Sequence, residues 1–142
     1  MTLLTKIRNW LLTFPLWNAE WTLYTDYTDG MPGNGGLYPS GAQELGRVED
    51  VAGNVTVRCR YRFCLYRVAD QQDMQENANW LLAFQQWVQQ QSATGAAPRL
   101  GDDPKRERIW AEKGKLLQVN QAGTGKYAVS LIADFVKQFK EE

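Results

Sequence analysis

Apolar and polar residues alternate along the middle of the chain. From Val55 to Val68, one set of alternate positions is mainly apolar, and the other set carries Arg58, Arg60 and Arg62. Because successive side chains of a strand point to opposite faces, this alternation predicts a half-buried strand with an exposed basic face. At 14 residues, the strand is more than twice the usual length, which suits a sheet that projects beyond its own domain.

A helix is predicted directly after this strand, over Asp73–Gln91. Asp73 stands three residues before Glu76, which is a variant of the capping box that begins many helices. Apolar residues then recur at helical spacing and form one stripe: Trp80, Leu81, Phe84, Trp87 and Val88. Another amphipathic helix is predicted over Thr2–Phe14, where Pro15 ends it. We expect both helices to pack on the face of the sheet opposite the arginines.

Shorter patterns predict the remaining elements. Strands are expected over Trp21–Tyr27, Leu45–Val51, Lys115–Asn120 and Lys126–Phe139, with turns at Gly53-Asn54 and Ala122–Gly125 and a helical turn over Pro104–Trp110. The order α-β-β-β-α-β-β predicts an α+β fold. The chain is expected to form a single domain over residues 1–142, with a mostly antiparallel sheet of four to five strands packed on one face by two main helices.

The glycine-rich stretch Asp29–Gly41 predicts a flexible excursion, because it is too long for a tight hairpin turn. It also holds Met31, Leu37 and Tyr38, which are apolar residues that a purely solvated loop rarely needs. Ordering such a chain costs about 1–2 kcal/mol of backbone entropy per residue. We therefore expect an arm that is mobile in the isolated subunit and becomes fixed when these three residues contact a neighbouring subunit.

The charges of the chain cancel, since 16 basic and 16 acidic side chains are present. Nucleic-acid-binding proteins usually carry a basic excess, so no specific nucleic-acid binding is expected. The row of Arg58, Arg60 and Arg62 is the one local candidate. Its simplest interpretation is a solvated strand face, paired with acids on neighbouring strands such as Glu49. A protein partner and nucleic acid are the alternatives for this row.

The chain contains no histidine. This removes the commonest general base and the commonest zinc ligand, so we expect no catalytic residues and no metal site. The two cysteines, Cys59 and Cys64, are five positions apart on one strand, which places them on opposite faces and prevents a disulfide between them. Turn or surface roles are expected for two acidic pairs, Asp26 with Asp29 and Glu49 with Asp50.

One glycine-rich turn has the appearance of a nucleotide site. Gly123-Thr124-Gly125-Lys126 matches the end of a phosphate loop, but Asn120 and Tyr127 stand where that motif needs glycine and Ser or Thr. The turn also leads into a predicted strand, whereas a phosphate loop must open a helix whose amides face the phosphate. No cofactor is therefore expected.

The chain carries no sign of a membrane span or a signal peptide. No stretch approaches the roughly twenty apolar residues that a membrane span needs. Lys6 and Arg8 interrupt the apolar N-terminal residues, and Pro15 cuts them short. Synthesis and retention in a cytoplasm are expected, without membrane contact.

The second half of the chain resembles a family of phage and prophage minor capsid proteins. In that family a helix ends in the pattern F-x-x-W-(I/L/V)-x-x-Q, and a P-x-L step and two final strands follow. The matching residues here are Phe84, Trp87, Val88, Gln91, Pro98 and Leu100. The residue matches are concentrated in 76–132, while the order of elements fits most of the chain. Because these matches are mostly core positions, they indicate the fold more strongly than the role.

The resemblance implies a structural role. Such proteins are similar to the tail terminators of long-tailed phages, which assemble as rings at the head-proximal end of the tail. For this chain it implies a non-enzymatic virion protein, made in the bacterial cytoplasm, that forms a hexameric ring and contacts tail-tube and head-connector proteins. Some members are labelled as chloramphenicol resistance proteins, but the enzymes that acetylate that drug use a catalytic histidine, which this chain lacks.

Two other classes of function stay open. The first is a small α+β enzyme or ligand-binding domain, with a cleft lined by Trp and Tyr side chains. A pocket of several hundred cubic ångströms that contains a perturbed carboxylate would favour it. The second is a nucleic-acid-binding module, which rests on the arginine row alone and would show a steep salt dependence.

Overall fold

Two long strands lie side by side within one sheet in the computed structural model, which describes residues 1–140. They are β3 (Val55–Asp70) and β5 (Thr124–Phe139), each of 16 residues. They pair antiparallel along their whole length, with Val55 opposite Phe139 and Asp70 opposite Thr124. This continuous ladder forms the rigid centre of the fold.

Three further strands complete the sheet in the order β1-β2-β3-β5-β4. They are β1 (Leu23–Thr25), β2 (Gly35–Glu49) and β4 (Arg108–Val119). Only β1 is parallel to its neighbour, β2, and the other three pairings are antiparallel. The predicted α+β class and the predicted order of elements are therefore confirmed.

Two helices cover one face of this sheet. They are α1 (Leu3–Leu11), which Thr2 caps, and α2 (Met74–Ala93), where the carboxylate of Asp73 accepts the N–H of Glu76. The indoles of Trp10 and Trp87 stack with ring centroids 4.9 Å apart, which joins the two helices. The α2 helix and its predicted cap are confirmed.

The hydrophobic core lies between the helices and the predicted apolar face of β3. Phe63 and Leu65 are 3% and 2% exposed, and they share one buried cluster with Leu131 of β5 and Phe84 of α2. The side chains of Arg58 and Arg62, at the intervening positions of β3, are exposed. The strand faces are therefore those that the alternation predicted.

Several boundaries differ from the predictions. The α1 helix ends at Leu11, and single turns continue the chain to Phe14. The strand predicted over Trp21–Tyr27 keeps only three residues, and Asp26 follows it with a φ of 55°. Only Pro104–Arg106 forms the expected helical turn, because the chain then pairs with β5 as β4 from Arg108 onward.

The largest correction concerns Asp29–Gly41, which is not a flexible excursion. Its second half is the start of β2, which runs from Gly35 to Glu49 and includes the strand predicted at Leu45–Val51. Leu37 is fully buried in the core cluster. Glycine is a poor strand former in isolation, but here the chain pairs with β1 on one side and β3 on the other, and this pairing decides the conformation.

Candidate functional site

The edge of the sheet at β2 is the first candidate surface. The strand β1 covers β2 only at Gly35–Leu37, whereas β2 pairs with β3 along nearly its whole length. Nine of the eleven residues in 39–49 are exposed, so both faces of this half of β2 meet solvent. We call residues 41–62, which join this part of β2 to β3, the edge hairpin. Its outer edge presents backbone N–H and C=O groups that a strand of another chain can pair with.

Exposed apolar side chains lie at the tip of the edge hairpin. Val48 is 68% exposed, and Val51, in the turn, is fully exposed. Phe139, opposite Val55 at the end of β5, is 59% exposed. Asp50 shapes the turn, because its carboxylate accepts the N–H groups of Ala52 and Asn54. Apolar groups held outward on a defined turn are typical of a contact surface.

Two β-bulges interrupt the outer edge. They lie between Pro39 and Gly41 and between Glu44 and Gly46. Bulges and charges are devices by which proteins limit indiscriminate pairing of a free edge. Arg47 and Glu44 add a surface ion pair of 2.7 Å, which is well exposed and therefore contributes little to stability. The edge is thus open but selective in the partner it admits.

The predicted basic face is only partly free. Arg60 makes two hydrogen bonds of 2.8 Å to Asp134 on β5, and this pair raises the pKa of the guanidinium. The acid predicted to compensate the row, Glu49, lies instead beside Val55 at the turn. The register of β3 against β5, which places Arg60 opposite Asp134, selects the partner.

A groove lined by three arginines crosses this end of the sheet. Its volume is about 390 Å³, and no acid is among the six described residues that line it: Gly46, Arg47, Val48, Thr56, Arg58 and Arg106. Arg106 comes from the turn before β4, so its place in the groove depends on tertiary structure. The groove is suited to an acidic group of a partner, since arginine binds carboxylates through paired donors.

Trp110 extends the same face toward β4. The guanidinium carbon of Arg108 lies 4.4 Å from the centre of its ring, and that of Arg60 lies 5.4 Å away. Trp110 is the register partner of Ile132, which is buried although it points away from the helices. These cation–π contacts fix arginine side chains that the sequence pattern left unconstrained.

The three residues predicted as subunit contacts do not act together. Leu37 is fully buried in its own subunit, so it is unavailable to a neighbour. The Tyr38 ring packs edge-on against Tyr66 at 5.0 Å, and its hydroxyl shares a hydrogen bond with Thr28. Only Met31, at 59% exposure, faces solvent in the way the prediction required. The arm over Asp29–Gly41 is therefore wrong as predicted.

Hydrogen bonds hold the rest of that segment in place. The carboxylate of Asp29 accepts from the Tyr24 hydroxyl, the Met31 N–H and the Asn34 amide, each at 2.9 Å. These bonds, with that from Met31 as the largest contribution, lower the pKa of Asp29. The backbone of Asn34 and Gly33 pairs with Val68. Asp29 thus has a structural role in a turn, as predicted for it.

A cleft on the opposite side of the molecule surrounds the side chain of Arg67. Its volume is about 360 Å³, and its lining includes Trp21, Arg67, Asp73 and Glu76. Arg67 lies on the apolar side of β3 and is only 8% exposed. The hydrogen bond and charge of the adjacent Asp73 raise the pKa of Glu76, but Glu76 is exposed at the start of α2. Glu76 therefore differs from a buried catalytic acid.

Other chemical groups on the chain are dispersed. Cys59 and Cys64 are free thiols, and burial raises the pKa of Cys59. Within residues 1–140, no cluster of three or more Cys, Asp and Glu side chains has the arrangement of a metal site. The same residues include no helix that is long and apolar enough to cross a membrane.

The sequence analysis missed Arg67, Arg106 and Trp110. Arg67 carried a usable signal, because it follows Phe63 and Leu65 on the apolar face of one strand and so interrupts that face with a charge. Arg106 and Trp110 carried none, since their positions depend on where β4 joins the sheet.

Comparisons with known proteins do not place the chain in a family. No protein-family model matches it, and no curated protein shows significant similarity to it.

Proposed function

We propose that this chain is a non-enzymatic structural protein of a phage virion, a tail terminator at the head–tail junction that assembles as a ring. The observation that carries the proposal is the edge hairpin, a stretch of sheet whose outer edge is free and whose tip holds exposed apolar side chains. A subunit that works by contacting its neighbours needs such a surface and needs no catalytic residues.

The arrangement of this surface supports a ring. The edge hairpin lies at the end of β3 where Val55 begins, and the Arg67 cleft lies toward the end at Asp70. Two different surfaces on opposite sides of one subunit suit head-to-tail contacts, which close into a ring when the rotation between subunits is right. A hexamer, with tail-tube and head-connector proteins as further partners, is the form that the family resemblance suggests.

The basic groove supports an additional contact in the same assembly. Arg58 and Arg106 converge on it beside Val48, so an acidic side chain of a neighbouring subunit or tail protein would find two guanidinium groups there. Because this groove adjoins the apolar tip, one partner could bury both features together, as the centres and rims of interfaces commonly do.

Deletion and complementation in the phage or prophage that encodes the chain test the proposal. Without the gene, we expect heads and tails to accumulate separately. With a tagged copy, electron microscopy should find the tag at the head-proximal end of each tail. Infectious particles in the absence of the gene, or a tag on the capsid surface or in the cell envelope, would contradict the role. Genes for a major tail protein and a tape measure directly downstream would support it independently.

The alternative of an enzyme or ligand-binding domain stays a prediction. The Arg67 cleft has the required size and one tryptophan wall, while its perturbed carboxylate, Glu76, is exposed to solvent. These properties favour binding over catalysis at this cleft.

A further inference from the structure

Arg67 is a buried charge without a counter-ion. Its side chain belongs to the apolar face of β3, and among residues 1–140 neither observed ion pair includes it. Its Nε and Nη1 are both sealed from solvent and have no hydrogen-bond partner. Burial lowers the pKa of Arg67 to about 10, so the side chain stays charged at neutral pH. An unpaired buried charge destabilises a fold, so a group that compensates it from outside would bind favourably.

Two tryptophans hold this guanidinium in a fixed position. Its central carbon lies 4.4 Å from the ring centre of Trp21 and 4.5 Å from that of Trp80. The Trp80 indole N–H donates to the carbonyl of Leu16 at 3.0 Å, and its ring stacks on Phe84. Cation–π contacts on both faces leave the N–H groups in the guanidinium plane as the groups still able to bind a ligand.

Trp21 is fixed by the chain that forms the opposite wall. Gly33 lies against its indole so closely that a side chain at this position would overlap the ring. The carbonyl of Val68 accepts the N–H of Gly33, which ties this wall to β3. The cleft is therefore built before any ligand arrives, and little ordering is needed on binding.

Three carboxylates surround the mouth of the cleft: Asp70, Asp73 and Glu76. The first is held in place because the Asn77 side chain donates to the Asp70 carbonyl at 2.7 Å, and Asp73 caps α2. A simple anion would be repelled by this rim, and a simple cation would meet the guanidinium of Arg67. A ligand with both charges satisfies both parts of the cleft.

We infer that the Arg67 cleft binds a small dipolar ligand, whose carboxylate pairs with Arg67 and whose cationic amine lies among the carboxylates of the rim. This is the chemistry of a free basic amino acid. The cleft volume of about 360 Å³ falls in the range of sites for small molecules. The site uses the face of the sheet that carries the helices, so it does not depend on ring assembly.

Titrations followed by nuclear magnetic resonance test this site directly. The reporters are the Nε–H signal of Arg67 and the indole N–H signal of Trp21. Free L-lysine should shift both signals saturably. L-Lysinamide, which lacks the carboxylate, should bind about tenfold or more weakly. Acetate, which lacks the amine, should also bind more weakly than L-lysine.

Variants assign the response to the proposed groups. Arg67→Met should abolish the Trp21 shift and leave the fold intact, because removing a buried unpaired charge is well tolerated. Its thermal midpoint should equal or exceed that of the parent. Arg62→Met, on the exposed face of the same strand, should respond to L-lysine as the parent does. Glu76→Gln should reduce the preference for L-lysine over acetate.

Three results would overturn the inference. The first is the absence of any saturable shift with L-lysine, which would leave Arg67 as a purely structural residue. The second is an equal response to L-lysinamide, which would remove the carboxylate from recognition. The third is an unchanged response in Arg67→Met, which would place binding elsewhere on the chain.

Discussion

Neighbouring leucines on α2 have opposite environments. Leu81 is 7% exposed and belongs to the core cluster, whereas Leu82 is 58% exposed. Leu81→Ala should lower the free energy of unfolding by about 2–4 kcal/mol, since it removes buried methyl groups and leaves a cavity. Leu82→Ala should change it by less than about 0.5 kcal/mol. Urea denaturation of both variants measures the difference, and equal losses would mean that α2 presents another face to the sheet.

Asp29 links the stability of its turn to pH. Its folded-state pKa lies below the ordinary 3.8, chiefly because of the hydrogen bond from the Met31 N–H. A depressed pKa contributes stability that is present above the unfolded-state value and is lost as the pH falls through the folded-state value. The thermal midpoint of the parent should therefore exceed that of Asp29→Asn at pH 6.

This advantage of the parent should shrink as the pH is lowered from about 4 toward 2. Thermal melts of both proteins across that range provide the measurement. A constant difference between parent and Asp29→Asn at every pH would show that the carboxylate charge has no role in the turn.

At the scale of elements, the segment before β2 is fixed by its close passage over that strand. A side chain at Gly36 would overlap the carbonyl oxygen of Tyr27 and approach the hydroxyl of Thr28. Gly36→Ala should therefore destabilise the protein by about 1–3 kcal/mol. Gly41→Ala is a matched control on the same strand, because no other atom lies within 4 Å of the added methyl group. We expect it to be neutral or slightly stabilising in the same denaturation experiment.

The two substitutions separate a packed segment from a mobile one. If residues 27–28 were loosely placed, the chain would move aside and Gly36→Ala would have no larger effect than Gly41→Ala. A large effect at Gly36 alone would establish that the segment before β2 belongs to the folded subunit. It would then be unavailable as an arm that orders on assembly.

For the whole molecule, the edge hairpin is the surface on which assembly is expected to depend. Val48→Lys places a charge at its exposed tip, where Val48 is 68% accessible, so the thermal midpoint should barely change. Incorporation into tails should be lost, because the charge would be buried against the neighbouring subunit.

Leu82→Lys provides the matched control for this prediction, since it also replaces an exposed aliphatic residue, on the outer face of α2. Both variants should be compared in the complementation assay and by electron microscopy of the tails. Normal tails with Val48→Lys would exclude the tip of the edge hairpin as a contact. Failure of both variants would point to a wider interface that includes α2.

The sequence by itself determined the local elements and their faces. The alternation in β3 predicted which side would hold Phe63 and which would hold Arg62, because side-chain direction in a strand follows residue parity. Asp73 and the apolar stripe behind it predicted the start and buried face of α2, since caps and helical periodicity act over a few residues.

Tertiary structure alone decided the features that depend on residues far apart in the chain. Gly35 starts a strand because β1 and β3 pair with it on either side, although glycine itself favours a loop. Arg60 binds Asp134, 74 positions away, because the register of β3 against β5 brings them together. Arg67 is buried because two tryptophans from different segments enclose it. Local patterns carry no information about such partners, since the distances are set only when the sheet and helices pack.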